Sequence, residues 1–172
     1  MSEALEALYA GDEKARELLR PDDELSVFEA AAFGRLERLG RILDDDPGQA
    51  KALSGDGFTA LHLAIFGGQE EAARLLLEHG ADPNALSTNE AVRVPPLGTA
   101  AFVRSVPLAR LLLDSGANVN GRGDGGFTAL HSAAQNGDED FARLLLERGA
   151  DPSLATEDGK LAGDFGLRDL LS

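Results

Sequence analysis

The sequence has no cysteine and no tryptophan, one tyrosine and eight phenylalanines among 172 residues. Without cysteine there can be no disulfide, no thiolate zinc site and no cysteine nucleophile. Aromatic residues make up 5% of the chain, few for a protein built of strands. Leu and Ala fill the apolar runs instead, which points to helices packed through aliphatic side chains. No apolar run approaches the roughly 20 residues that cross a bilayer. The start, Met1 to Glu13, is acidic and amphipathic rather than basic and then apolar, so a soluble, cytoplasmic chain is expected. Basic residues are also short: 16 Lys and Arg face 30 Asp and Glu, a formal net charge of −14. That field repels nucleic acid and anionic membranes and attracts a basic protein, although it also serves plain solubility.

Chemical motifs are equally sparse. No Gly-x-x-x-x-Gly-Lys-Ser/Thr stretch, Ser-His-Asp arrangement or paired-acid site can be traced. Gly121, Gly123 and Gly126 satisfy Gly-x-Gly-x-x-Gly, but a dinucleotide site needs that pattern between a strand and a long helix. Arg122-Gly123-Asp124 reads as accidental. Asp44-Asp45-Asp46 lacks the alternating ligands and closing Glu of a calcium loop and reads as a solvated turn. No catalytic role, cofactor or metal is therefore expected.

What the sequence does contain is a repeat. Gly57-Phe58-Thr59-Ala60-Leu61-His62 returns as Gly126-Phe127-Thr128-Ala129-Leu130-His131, with a weaker copy at Arg93-Val94-Pro95-Pro96-Leu97-Gly98. A second stretch, Ala73 to Asn84, recurs from Ala109 and from Ala142. Leu61 to Gly80, Leu97 to Gly116 and Leu130 to Gly149 are each 19 positions apart. Thr59 and Thr128 suit the N-cap of a short first helix. Ala72, Leu75 and Leu76 give a second helix its apolar face. Gly80, Gly116 and Gly149 stand just past that helix, where a left-handed conformation is needed. Neither helix buries its face alone; stacked pairs can.

These residues resemble the ankyrin repeat family, in a bacterial style. Its Thr-Pro-Leu-His-x-Ala stretch appears from Thr59 and from Thr128, and its Gly-Ala-Asp-Val-Asn stretch at Gly80, Gly116 and Gly149. The resemblance implies an all-α solenoid of stacked antiparallel helix pairs joined by short hairpin-like turns. It covers nearly the whole chain: an N-terminal capping helix pair over 1–22, repeats over 23–54, 55–87, 88–123 and 124–156, and a degenerate cap over 157–172. The third repeat departs from the pattern, with Pro95 for Thr, Gly98 for His, and three extra residues within 86–94, where a longer, more mobile fingertip is expected. His62 and His131 are expected to make hydrogen bonds between neighbouring turns, and His79 to lie on the surface of a helix end, where its charge suits the dipole.

The family implies a function too: a partner protein lying across a concave face made of first helices (the palm) and inter-repeat turns (the fingers). The corresponding palm positions are Phe33, Phe66, Phe102-Val103 and Gln135-Asn136, and the finger positions Phe58, Val94 and Phe127, with Arg93 and Arg104 as charged contacts. Aromatic anchors and Arg dominate such interfaces. Phe58 and Phe127 could equally pack against the next finger. The expectation is a monomeric, non-catalytic protein-interaction module or scaffold. Its alternative is an acidic, immunity-type inhibitor of a basic partner, and a small-molecule binder or enzyme is a remote third.

Overall fold

The computed structural model describes residues 2–171. Ten α-helices lie among the described residues: α1 (Glu3–Tyr9), α2 (Val27–Ala32), α3 (Leu36–Asp45), α4 (Ala60–Phe66), α5 (Glu70–Glu78), α6 (Pro96–Phe102), α7 (Val106–Asp114), α8 (Ala129–Asn136), α9 (Glu139–Glu147) and α10 (Arg168–Leu171). The only extended pairing among them is two isolated antiparallel bridges, Leu53 with Thr59 and Ala155 with Leu161. The fold is all-α, as the repeat predicts. Two compact units divide the chain: an N-terminal one reaching Asp82 and taking in Ser87–Glu90, and a C-terminal one made of Pro83–Leu86 and everything from Ala91.

In the N-terminal unit α2 stacks on α4 and α3 on α5. Leu39, Leu43, Leu61, Ile65 and Leu76 are fully buried between them, each worth roughly 1.5–3 kcal/mol of transfer from water. Alanines at 30, 31, 64, 72 and 73 let the helices approach closely. Ser26 and Glu29 start α2 with a capping box: the Glu29 N–H donates to Ser26 Oγ at 3.3 Å, and the Ser26 N–H donates to Glu29 Oε2 at 3.0 Å. Thr59 caps α4 by accepting from the His62 N–H at 3.3 Å. Where α4 ends, a Cβ on Gly67 would stand 2.0 Å from the Ala32 carbonyl oxygen, so only glycine lets the two helix ends come together.

The C-terminal unit repeats the arrangement, with α6 on α8 and α7 on α9. Leu97, Leu108, Leu112, Leu130, Phe141 and Leu145 fill it. Two ladders set its register. At the fingers, the Asp124 N–H donates to the Arg93 carbonyl at 2.9 Å and the Glu157 N–H to the Gly125 carbonyl at 2.8 Å. At the opposite turns, Asn84 donates to the Gly116 carbonyl (3.1 Å) and accepts from the Asn118 N–H (2.7 Å). Asn120 does the same to Gly149 and Asp151 at 3.3 and 2.9 Å.

The third repeat's departures have local causes. A Cβ at Gly98 would meet Val94 Cγ2 at 2.6 Å, so Val94 occupies the room that the absent imidazole leaves. Pro96 begins α6, where its missing N–H has no intrahelical acceptor to lose. The inserted finger, expected to be mobile, is tied down at both ends. In the N-terminal unit Ser87 is buried, the Thr88 N–H donates to the Gly57 carbonyl at 2.8 Å, and Asn89 donates to the Asp56 carbonyl at 2.7 Å. In the C-terminal unit the Arg93 N–H donates to Asp124 Oδ2 at 2.7 Å.

Candidate partner-binding site

In the N-terminal unit the first palm is occupied by the chain itself. Phe33 is only 4% exposed, in a cluster with Ala4, Leu5, Ala15, Ala32 and Leu63. The expectation that Phe33 stands open is therefore corrected: α1 lays its apolar side across it. Phe66 is half-buried, with the Tyr9 ring edge-on at 5.2 Å. Phe58, also half-buried, lies 6.2 Å from the Tyr9 ring and 5.9 Å from His62. Tyr9 was not singled out from the sequence, although Ala4, Leu5, Leu8 and Tyr9 carry the helical spacing of an apolar face. Burial and the nearby Asp56 carboxylate push the Tyr9 phenol well above its ordinary value.

A cleft of about 270 Å³ opens in the same unit, lined in part by Ser2, Arg20, Ser26, Glu29 and Asp56. Burial alone would raise the Glu29 carboxyl. Hydrogen bonds from Ser26, Ser2 and Arg20 outweigh that and hold it below the usual carboxylate range. Its acceptors are spent on the capping box and on Arg20 at 2.9 Å. A carboxylate so satisfied holds the N-terminal segment to α2 and makes a poor proton acceptor. The spacing Ser26-x-x-Glu29 was the sequence signal for it.

The C-terminal unit presents a different palm. Phe102, at the end of α6, is 69% exposed. Val103 beside it is half-buried, and Arg104, Gln135 and Asn136 are exposed. α8 is tied to this point: Asn136 donates to the Ala101 carbonyl at 3.1 Å, and Arg104 pairs with Asp138 at 3.6 Å. Phe102, Val103, Arg104, Gln135 and Asn136 are thus brought onto neighbouring helix ends. The finger residues are placed otherwise. Val94 packs over Gly98, Arg93 is exposed on a backbone held by Asp124, and Phe127 lies tilted against His131 at 5.4 Å and edge-on to Phe165 at 5.1 Å.

Arg104 has a feature that its sequence does not announce. Its φ is 58°, in the left-handed region, at the place where Gly34, Gly68 and Gly137 have φ of 66°, 68° and 64°. An L side chain there costs about 1–2 kcal/mol that glycine avoids. Its ion pair, between a largely exposed Arg and an aspartate, returns at most about 1 kcal/mol. Arg104→Gly is therefore expected to raise the stability of the unit by about 1 kcal/mol, read as a higher urea midpoint with an unchanged slope.

The histidines are structural. Nδ1 of His62 and of His131 lies 2.8 and 2.9 Å from the hydroxyls of Thr59 and Thr128, and His131 Nε2 lies 3.3 Å from the Lys160 carbonyl. His79 caps the end of α5: a hydrogen bond to the Leu75 carbonyl at 2.9 Å, helped by Asp44, lifts its pKa above the ordinary value. The Gly-x-Gly-x-x-Gly stretch lies between fingers, where a Cβ on Gly123 would stand 2.7 Å from the Arg93 carbonyl oxygen.

Two family models match the sequence, one for ankyrin repeats in three copies over residues 86–156 and one for a single ankyrin repeat over residues 56–88. The chain belongs to the ankyrin repeat family. Among curated proteins it is 42% identical over 99 residues to the B-cell lymphoma 3 protein homolog of Mus musculus, covering 58% of this chain and 22% of that one. An ankyrin repeat-containing protein of Treponema pallidum (strain Nichols) is 39% identical over 121 residues, 70% of this chain and 40% of that one. Ankyrin repeat and SOCS box protein 3 of Bos taurus is 36% identical over 149 residues, 85% and 26%. The chain thus spans less than half the length of these relatives. Ankyrin repeats are protein–protein interaction modules and as a family generally non-catalytic. No described helix is long and apolar enough to cross a membrane. The ankyrin frame also gives the Asn84 and Asn120 ladder its place: each stands four residues past the glycine that ends a second helix, at the close of the recurring Gly-Ala-Asp-Val-Asn stretch, whose hydrogen-bonding role the repeat alone does not announce.

Proposed function

We propose that this ankyrin repeat protein binds a partner protein through the palm of its C-terminal unit. Phe102 is the anchor there, and Arg104, Val103, Gln135 and Asn136 surround it. One observation carries the reading: a phenylalanine 69% exposed, two residues from an arginine that keeps an unfavourable backbone conformation where the sister repeats use glycine. Strain held beside an exposed aromatic ring marks a place where the side chain earns its position by contact. Affinity recovery with wild type beside Phe102→Glu tests this. Partners recovered by wild type should fall at least tenfold with Phe102→Glu, and should fall with Arg104→Gly although that variant is the more stable protein. Equal recovery by all three, each folded by circular dichroism, contradicts the reading.

A second reading, an acidic inhibitor covering a basic partner, is favoured by how the charge is distributed. Of the 30 acidic and 16 basic residues, the N-terminal unit holds 19 and 8, a net of −11, and the C-terminal unit 11 and 8, a net of −3. This reading expects the association rate to fall steeply with ionic strength, whereas docking anchored on Phe102 expects a shallow dependence.

A further inference from the structure

We propose that the palm of the N-terminal unit is a groove for a basic amphipathic helix of another protein, and that α1 is its resident, displaceable occupant. The groove is defined by what fills it. Ala4, Leu5, Leu8 and Tyr9, one face of α1, lie against Ala32, Phe33 and Leu63, with Phe28 and Phe58 at the margin and Phe66 under the Tyr9 ring. α1 does not continue the stack: it touches α2 only lightly, whereas α2 and α4 pack along their lengths. The segment after it, expected as the second helix of a cap, is a 3-10 turn over Glu13–Leu18 that packs on α1. This N-terminal segment therefore lies across first-helix side chains in the manner of a bound helical ligand.

Three features make α1 a weak occupant. Seven residues are too few for a helix to hold its shape alone in water. Glu3, Glu6, Asp12, Glu13 and Glu17 are five of the 19 acidic residues in a unit of net −11, so the segment sits among charges of its own sign. The Tyr9 hydroxyl is buried beside the Asp56 carboxylate, where burial and that charge both disfavour its ionisation. A partner helix with Leu at the positions of Leu5 and Leu8, lysine or arginine at that of Tyr9, and basic flanks would keep the apolar contact. It would place a positive charge opposite Asp56 in place of a neutral hydroxyl and reverse the repulsion. The occupant is a protein segment, as in the proposed function, but the groove lies in the other unit and does not depend on Phe102.

The test uses the full chain and a synthetic peptide of residues 2–20 carrying Glu3→Lys, Glu6→Lys, Tyr9→Lys, Glu13→Lys and Glu17→Lys. Tyr9 of the protein is then the one tyrosine in the mixture. Titration should shift the tyrosine emission and near-ultraviolet circular dichroism of the protein saturably toward those of a solvent-exposed tyrosine. Leu5→Ser/Leu8→Ser, which loosens α1, should bind the peptide at least about tenfold tighter than wild type, because occupancy by α1 lowers apparent affinity by the fraction left open. Should that variant lose helicity, Tyr9→Ala replaces it, with both affinities then read by isothermal titration calorimetry because that variant has no tyrosine. An unchanged tyrosine signal at saturation, equal affinities for wild type and the loosened variant, or no binding by either overturns the proposal. Neither outcome bears on recovery through Phe102, so the two readings fail separately.

Discussion

Gly67→Ala is expected to destabilise the N-terminal unit by about 2–3 kcal/mol, and Gly68→Ala next to it by only about 1 kcal/mol. The two glycines are there for different reasons. A Cβ at position 67 would stand 2.0 Å from the Ala32 carbonyl oxygen, so the ends of α2 and α4 must move apart. At position 68 no atom lies within 4 Å of a Cβ, and the cost is only the left-handed φ of 68°. Urea denaturation followed by circular dichroism separates them, since a shift in midpoint without a change in slope reads as stability. Equal shifts would mean that the two helix ends are not in contact.

His131→Leu is expected to cost about 2–4 kcal/mol at neutral pH and to remove a pH dependence that wild type shows. The imidazole is 1% exposed; its Nδ1 accepts from the Thr128 N–H at 3.2 Å and its Nε2 reaches the Lys160 carbonyl. The substitution leaves both backbone groups without that partner. Burial holds the His131 pKa below its ordinary value, with the nearby Arg122 acting in the same direction and the Lys160 carbonyl opposing. The unfolded chain therefore takes up a proton near pH 6.5 that the native protein refuses. This part of the stability is complete above about pH 6.5 and is lost as pH falls toward the lower native value. His79, with its raised pKa, works with the opposite sign: its share is present below about pH 6.5 and is lost as pH rises through the native value. Chemical denaturation between about pH 5 and 8 in a His79→Asn background isolates the His131 share. A His131→Leu variant with the same pH slope as its parent would contradict this assignment.

The repeat frame was legible because it is written in local chemistry: the Thr59 and Thr128 caps, the glycines past each second helix and the constant Leu-to-Gly spacing each act within a few residues. What the sequence hid depends on partners far along the chain. Phe33, Phe66 and Phe102 hold equivalent repeat positions, yet the first is sealed and the last exposed, because α1 reaches back over the first two. Nothing in the periodicity tells where a segment outside the repeats will lie. Arg104 hid for the opposite reason. Its position matches the glycines, but that the backbone keeps the glycine conformation despite the side chain is a property of the fold around it. Gly98 looked like a lost histidine and proved to be the space that Val94 fills.

Hydroxyl-radical footprinting of the native chain asks the central question in one experiment, by reading the oxidation rate of each aromatic side chain. The account predicts that Phe102 reacts many times faster than Phe33, with Phe58, Phe66 and Phe127 between them. Comparable rates at Phe33 and Phe102 would show that the N-terminal segment does not cover the first palm, and would contradict the account.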